Sequence, residues 1–326
     1  MSSIFKERKE FAPFEYDKAY DYWMKQQSAH WIHTEINLST DLQDWSSGKI
    51  TEAEKQVVGQ ILKGFTQAEM TINEYWSNRV TKFFKKPEII MMANCFSNME
   101  TIHGVAYNLL NETLGLTDYK TFIQEETTKA KLDNLIDTPN KSRCDILKSL
   151  AVFSAFAEGV SLFSSFAILL NFSRFNKLKG TSQIIKFSIR DESLHSEAGC
   201  WLFRTAIAEN PEIFTDEFKK DIYEAARATV KLEDDFIDEA FESGPIEGLD
   251  PGDLKAFIRY RANTKLGDLG LKSNWKNIDL EAVERITSWF DVLSSGQTHD
   301  DFFVVVPSDY SKGTADFGKM YDDEKV

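Results

Sequence analysis

Apolar residues recur at three- and four-residue spacing along most of the chain, and almost no stretch alternates with a two-residue period. That pattern predicts long helices at about 52–83, 88–115, 143–177, 182–209 and 215–243. Shorter ones are expected near 16–27, 120–135, 252–265 and 280–294. Lys86-Pro87 opens the second long helix, Asp137-Thr138-Pro139-Asn140 precedes the third, and Asn210-Pro211 ends the fourth. Several helices exceed 25 residues without a sustained heptad, which indicates a bundle rather than a coiled coil. Residues 151–172 are apolar on every face, yet the uncharged run after Glu158 is only fifteen residues, Gly159–Ser173. A bilayer span needs about 20. The stretch therefore reads as the buried centre of a large bundle, and no membrane association is expected. From Gln297 the text loses its helical stripe and mixes acids, glycine and isolated aromatics, so residues 1–296 read as one bundle domain and 297–326 as a flexible tail.

Composition narrows the classes. The chain of 326 residues carries a net charge of −14, which argues against a nucleic-acid surface or attraction to anionic lipid. Three widely spaced cysteines form neither a disulfide framework nor a Cys-x-x-Cys pair, and the first residues, MSSIFKERKEF, have no apolar core of a secretory signal. A reducing cytoplasm is the expected compartment. No Gly-rich phosphate loop or dinucleotide turn is present, so no nucleotide cofactor is expected.

Two of only five histidines follow a glutamate by three places: Glu100 with His103, and Glu192 with His195. Glutamate is 27 of 326 residues, so one such pair would arise by chance about one time in twelve per histidine, and a single pair would mean little. On a helix, positions i and i+3 share a face, so each pair can aim a carboxylate and an imidazole at one point. A four-helix di-metal carboxylate site also needs one lone glutamate from each of two further helices. Glu158 is the single charge inside the apolar stretch, and Glu69 lies in the helix before the first pair. Taken alone, Glu158 is as easily explained by a buried Lys or Arg partner. Together the four carboxylates and two imidazoles form a hard oxygen–nitrogen donor set, which suits iron or manganese better than a thiolate zinc site. Tyr107, one helical turn beyond His103, falls on the same stripe. It is either a core tyrosine or a phenol placed to lose one electron to an oxidant made by dioxygen at two metals.

These residues also carry a family resemblance. The segments HWIHTEINLSTDLQDW, METIHGVAY, FAEGVSLFSSF and IRDESLHSE make the chain resemble the small, radical-generating subunit of class I ribonucleotide reductase over most of its length. The spacings agree, with Glu69 31 residues before Glu100 and Glu158 34 before Glu192. The resemblance implies an all-α, ferritin-like di-metal carboxylate bundle, with Glu69, Glu100 and His103 around one metal and Glu158, Glu192 and His195 around the other. It implies two iron ions, with manganese the alternative, and a stable radical on Tyr107. Asp191 would bond His103 and link it to Trp31, and Tyr310 of the tail would continue the relay, with Tyr321 a rival. The implied partner is the large catalytic subunit, docked through the tail, and the implied assembly is a homodimer. Positions near the radical that often hold bulky apolar residues are Leu162, Phe166 and Ser188 here; the serine is a departure, as is Glu69 where many members have Asp. A stand-alone di-iron oxidase or hydroxylase and a ferritin-type iron oxidase are the competing functions.

Overall fold

The chain opens with short helices that serve the long ones. The computed structural model describes residues 3–118 and 142–295, all within one unit spanning Met1–Gly296. The helix expected at 120–135 and the tail with Tyr310 and Tyr321 lie outside the described residues. Helix α1 (Asp17–Ser28) and α2 (Ser39–Ser46) precede α3 (Glu52–Glu74), whose start is fixed by a capping box between Thr51 and Glu54. A π-helical turn, Tyr75–Val80, prolongs α3. Helix α4 (Pro87–Leu114) begins on a proline at its first turn and ends on Gly115 at φ 76°, a left-handed cap that suits glycine.

Helix α5 (Arg143–Val152) leads into a second π-helical turn, Phe153–Ala157, and α6 (Phe163–Asn171) comes next. The continuous helix expected over 143–177 is thus broken between Glu158 and Leu162. The run there is apolar throughout, so hydrophobic patterning alone does not show the break. Helix α7 (Lys179–Glu209) is the longest, and α8 (Asp216–Glu242), α9 (Pro251–Asp268) and α10 (Leu280–Ser294) complete the described bundle. No strand occurs among the described residues, and no described helix is long and apolar enough to cross a membrane.

Helices α3 and α4 pack together along their length, with α1 beside α4, while α9 packs between α8 and α10. Helix α7 lies between these groups and touches α1, α2, α4, α5, α6, α9 and α10. It has no capping side chain of its own: Leu178, at φ 47°, stands at its N-cap. Helix α2, which the hydrophobic pattern does not predict, supplies the missing acceptors. Asp41 accepts from the Gly180 and Thr181 amides at 2.8 and 2.7 Å, and Asp44 accepts from the Leu178 amide at 3.0 Å. Further along α7, a Cβ at Gly199 would lie 2.0 Å from Ser154 Oγ, so only glycine allows α7 to approach the second π turn this closely.

Candidate metal centre

Four backbone elements deliver six ligand-type side chains to one place in the core. Glu69 comes from α3, Glu100 and His103 from α4, Glu158 from the break after the second π turn, and Glu192 and His195 from α7. A π turn inserts one extra residue and rotates the downstream backbone, so Glu158 leaves an otherwise apolar segment facing the cluster. Glu100, His103, Glu158, Glu192 and His195 are wholly buried, and Glu69 is 2% exposed. Their donor atoms form two quartets: Glu69, Glu100, His103 and Glu192, and Glu100, Glu158, Glu192 and His195, each with all atoms within 4.8 Å of one another. Glu100 and Glu192 belong to both. Each trio expected from the resemblance lies within one quartet.

Each imidazole turns the same nitrogen inward. His103 Nε2 lies 3.2 Å from Asp191 Oδ2, and its Nδ1 faces Glu100 Oε2 at 3.0 Å and Glu192 Oε1 at 3.2 Å. His195 Nε2 lies 3.1 Å from Gln26 Oε1, while its Nδ1 stands 2.6 Å from Glu100 Oε1 and 3.5 Å from Glu158 Oε2. With the outer nitrogens donating, each Nδ1 lone pair points at carboxylate lone pairs. Acceptors that face one another so closely need a cation between them, either a proton or a metal ion.

The unpartnered atoms make the same point. Glu69 Oε2, Glu100 Oε1, Glu158 Oε2, both oxygens of Glu192 and His195 Nδ1 are buried without a hydrogen-bond partner. Buried polar atoms left so are rare, because each forfeits its hydration. Four carboxylates beside two neutral imidazoles would balance two divalent cations in charge, and oxygen with imidazole nitrogen is the donor chemistry of iron and manganese. The residues fit a di-metal centre.

The electrostatics show the strain of the same charges without metal. Burial, then repulsion from Glu100, pushes the Glu69 carboxyl well above its usual range; burial with Glu100 and Glu158 does the same to Glu192. Glu158 is raised chiefly by burial. Burial opposes ionisation of Glu100 too, but His195 and the bonds to His103 outweigh it and bring that carboxyl down to about 2. Burial alone would hold both histidines neutral; for His103 the bonds to Asp191, Glu100 and Glu192, and for His195 the charge of Glu100, raise them well above 6.5 instead.

Around the cluster lie the other expected residues and two that the sequence pattern does not reveal. Trp31 Nε1 donates to Asp191 Oδ2 at 2.8 Å, the same oxygen that faces His103, and its ring stacks 5.9 Å from the His103 ring. Asp191 also accepts from Gln26 Nε2 at 3.1 Å and from Arg190. Gln26, on α1, thus bridges Asp191 and His195; one glutamine in an amphipathic stretch gives no sign of this. Trp76, in the first π turn, donates to Glu158 Oε1 at 2.6 Å and leaves Oε2 for the cluster. Tyr107 is fully buried, with the Phe65 ring 5.0 Å away, and its hydroxyl donates to Ser188 Oγ at 2.6 Å.

A helical bundle in which two carboxylate–histidine quartets share their middle carboxylates defines a ferritin-like di-metal carboxylate protein. Comparison with known proteins narrows the class. The family model for the ribonucleotide reductase small chain matches residues 8–281. A probable ribonucleoside-diphosphate reductase small subunit of Invertebrate iridescent virus 3 is 34% identical, over 94% of this chain and 85% of its own. The reductase subunit beta of Chlamydia pneumoniae is 24% identical, over 81% and 80%. Among solved structures, the R2 subunit from Clostridium botulinum superposes with TM-score 0.79 at 20% identity, over 90% of this chain and 94% of that one. The dimanganese(II)-NrdF of Streptococcus sanguinis gives 0.71 at 22%, over 87% and 99%. The chain belongs to the ribonucleotide reductase small-chain family, and it is the small subunit of a ribonucleoside-diphosphate reductase, partnered by a large subunit.

Proposed function

We propose that Glu69, Glu100, His103, Glu158, Glu192 and His195 hold two metal ions and that Tyr107 stores the oxidising equivalent this subunit delivers. The observation that carries the reading is the convergence of both imidazole Nδ1 atoms with unpartnered carboxylate oxygens one helical turn from a buried phenol. When bound, the two ions supply a one-electron oxidant by reaction with dioxygen. The protein does the rest. Glu100 and Glu192 hold the two positions together, Gln26 and Asp191 fix the imidazole tautomers by accepting at Nε2, and Trp76 anchors one oxygen of Glu158. Phe65 and the bundle core keep water from Tyr107, so a radical there is not quenched by solvent. Asp191 joins His103 to Trp31, and this bonded chain is the route by which an electron and a proton cross toward the large subunit.

The favoured metal is iron, with manganese second, since the donor set suits both. Residues 297–326 are proposed to dock the large subunit, with Tyr310 as the next relay position, and the working assembly is proposed to be a homodimer. Aerobic reconstitution with ferrous or manganous ion, followed by metal analysis and low-temperature electron spin resonance, tests the centre. Two ions per chain and a radical signal that disappears in Tyr107→Phe are expected. Full metal content in both His103→Ala and His195→Ala would overturn the ligand assignment. For the tail, a chain lacking residues 307–326 should keep its radical and lose the large subunit; retained binding would remove that role.

A further inference from the structure

The phenol of Tyr107 is not enclosed by hydrocarbon alone. Its hydroxyl donates to Ser188 Oγ at 2.6 Å, and Ser188 Oγ in turn donates to the Ile184 carbonyl at 3.2 Å, one turn back on α7. Tyr107 and Ser188 are both fully buried. A serine hydroxyl has one hydrogen and two lone pairs, and its rotor is free to choose an acceptor. At present the hydrogen is spent on a carbonyl, and that bond at 3.2 Å is long for an O–H donor. The shorter bond is the one received from the phenol.

We propose that Ser188 is a positioning residue whose hydrogen bond reverses when Tyr107 is oxidised. In the reduced protein Ser188 accepts from the phenol; in the oxidised protein it donates to the phenoxyl oxygen. This rests on the reading of Tyr107 as the radical site. In the step, the phenol O–H bond breaks, and Tyr107 would give up one electron and one proton to the one-electron oxidant that two bound metal ions would supply. Ser188 neither gains nor loses a proton. Its hydroxyl rotates from the Ile184 carbonyl to the oxygen that has just lost its own hydrogen, and the carbonyl keeps its helical amide partner. The buried oxygen is thus never left without a hydrogen bond, as it would be in a wholly apolar pocket.

The test uses the full chain reconstituted with ferrous ion and dioxygen, read by high-field electron spin resonance and by electron–nuclear double resonance in H2O and D2O. The native radical should show one exchangeable proton coupling to the phenoxyl oxygen and a lowered largest g-component. Ser188→Ala should form the radical, lose that coupling and shift the g-component upward; Ser188→Thr, which keeps the hydroxyl, should restore both. A tyrosyl radical in the native protein with no exchangeable coupling, or an unchanged spectrum in Ser188→Ala, would overturn the proposal while leaving Tyr107 as the radical site. Absence of any tyrosyl radical in the metal-loaded native protein would overturn the role of Tyr107 first, and this proposal with it.

Discussion

The two halves of the cluster use the same Glu-x-x-His spacing and differ in what stands behind the imidazole. Behind His103 is a carboxylate, Asp191, which also holds the Trp31 indole; behind His195 is a neutral amide, Gln26, with the Phe96 ring 4.3 Å away. A carboxylate can share the charge of an imidazole that gives up or takes a proton, whereas an amide can only orient it. One half is therefore connected to the indole directly through a charge, and the other reaches Asp191 only through the neutral amide of Gln26. The phenol sits on the connected side, since Tyr107 and His103 share one face of α4 with ring centroids 6.3 Å apart.

Four substitutions or conditions break this contrast, in falling order of effect. Tyr107→Phe removes the oxidisable hydroxyl and nothing else of consequence. Ribonucleotide reduction with the large subunit should fall at least about a hundredfold, or roughly 3 kcal/mol, with metal content unchanged by atomic absorption. Near-native turnover would place the oxidant elsewhere. Asp191→Asn keeps the shape and removes the charge between His103 and Trp31. Turnover per radical should fall by about tenfold or more, roughly 1.4 kcal/mol, while the spin count stays near native; a proportional loss of spin and turnover would make Asp191 a support for metal binding only.

Gln26→Leu strikes the amide-backed half; it also removes a donor to Asp191 Oδ1, while Asp191 Oδ2 keeps its bonds to His103 and Trp31. His195 loses its outer partner, so metal affinity should fall about tenfold, the low end for outer partners of ligand histidines. Turnover per bound metal should hold, and a loss of radical transfer equal to that of Asp191→Asn would erase the distinction between the halves. The smallest effect is on stability. In metal-free protein, His103 and His195 are raised above 6.5 and Glu69, Glu158 and Glu192 above 4.5, so the folded chain binds more protons than the unfolded one. Stability then falls as pH rises through that window, while Glu100, at about 2, opposes this only in strong acid. The melting temperature should drop by a few degrees between about pH 6 and pH 8, on the scale of about 1 kcal/mol. Metal-loaded protein, whose ligands have released those protons, should show a flat or opposite trend. Parallel curves for the two forms would contradict the protonated cluster.

Five of the six cluster residues could be read from the sequence because helical geometry turns a three-residue spacing into a shared face, and because Glu158 is a lone charge in an apolar helix; Glu69 followed from the need for one more carboxylate on the preceding helix. Asp191 and Trp31 behind them came only from the family resemblance, and two further residues behind the ligands could not be read at all. Gln26 and Trp76 occupy positions that amphipathic packing explains equally well, and only the assembled fold shows that their polar atoms end on Asp191, His195 and Glu158. The break after Ala157 is invisible in the pattern because its residues are as apolar as a continuous helix requires. Ser188 stands out in the sequence as a departure from apolar shielding; its bond to the Tyr107 hydroxyl depends on the relative rotation of α4 and α7, which spacing within one helix does not encode.

Helix α7 carries Ser188, Asp191, Glu192 and His195 within eight residues, and its first turn is held by Asp41 and Asp44 from α2. A helix behaves as a keyed shaft: a slip of one residue means about 1.5 Å of travel and about 100° of rotation together. Such an error cannot be spread thinly. It would turn the phenol's partner, the indole's anchor and two members of the carboxylate–histidine cluster out of register in a single event. The two aspartates act as the index pin of that shaft, roughly 10 Å along the helix from the nearest residue they serve. Damage at Asp41 should therefore read as one mechanical fault with several simultaneous symptoms, in a place that touches none of the chemistry.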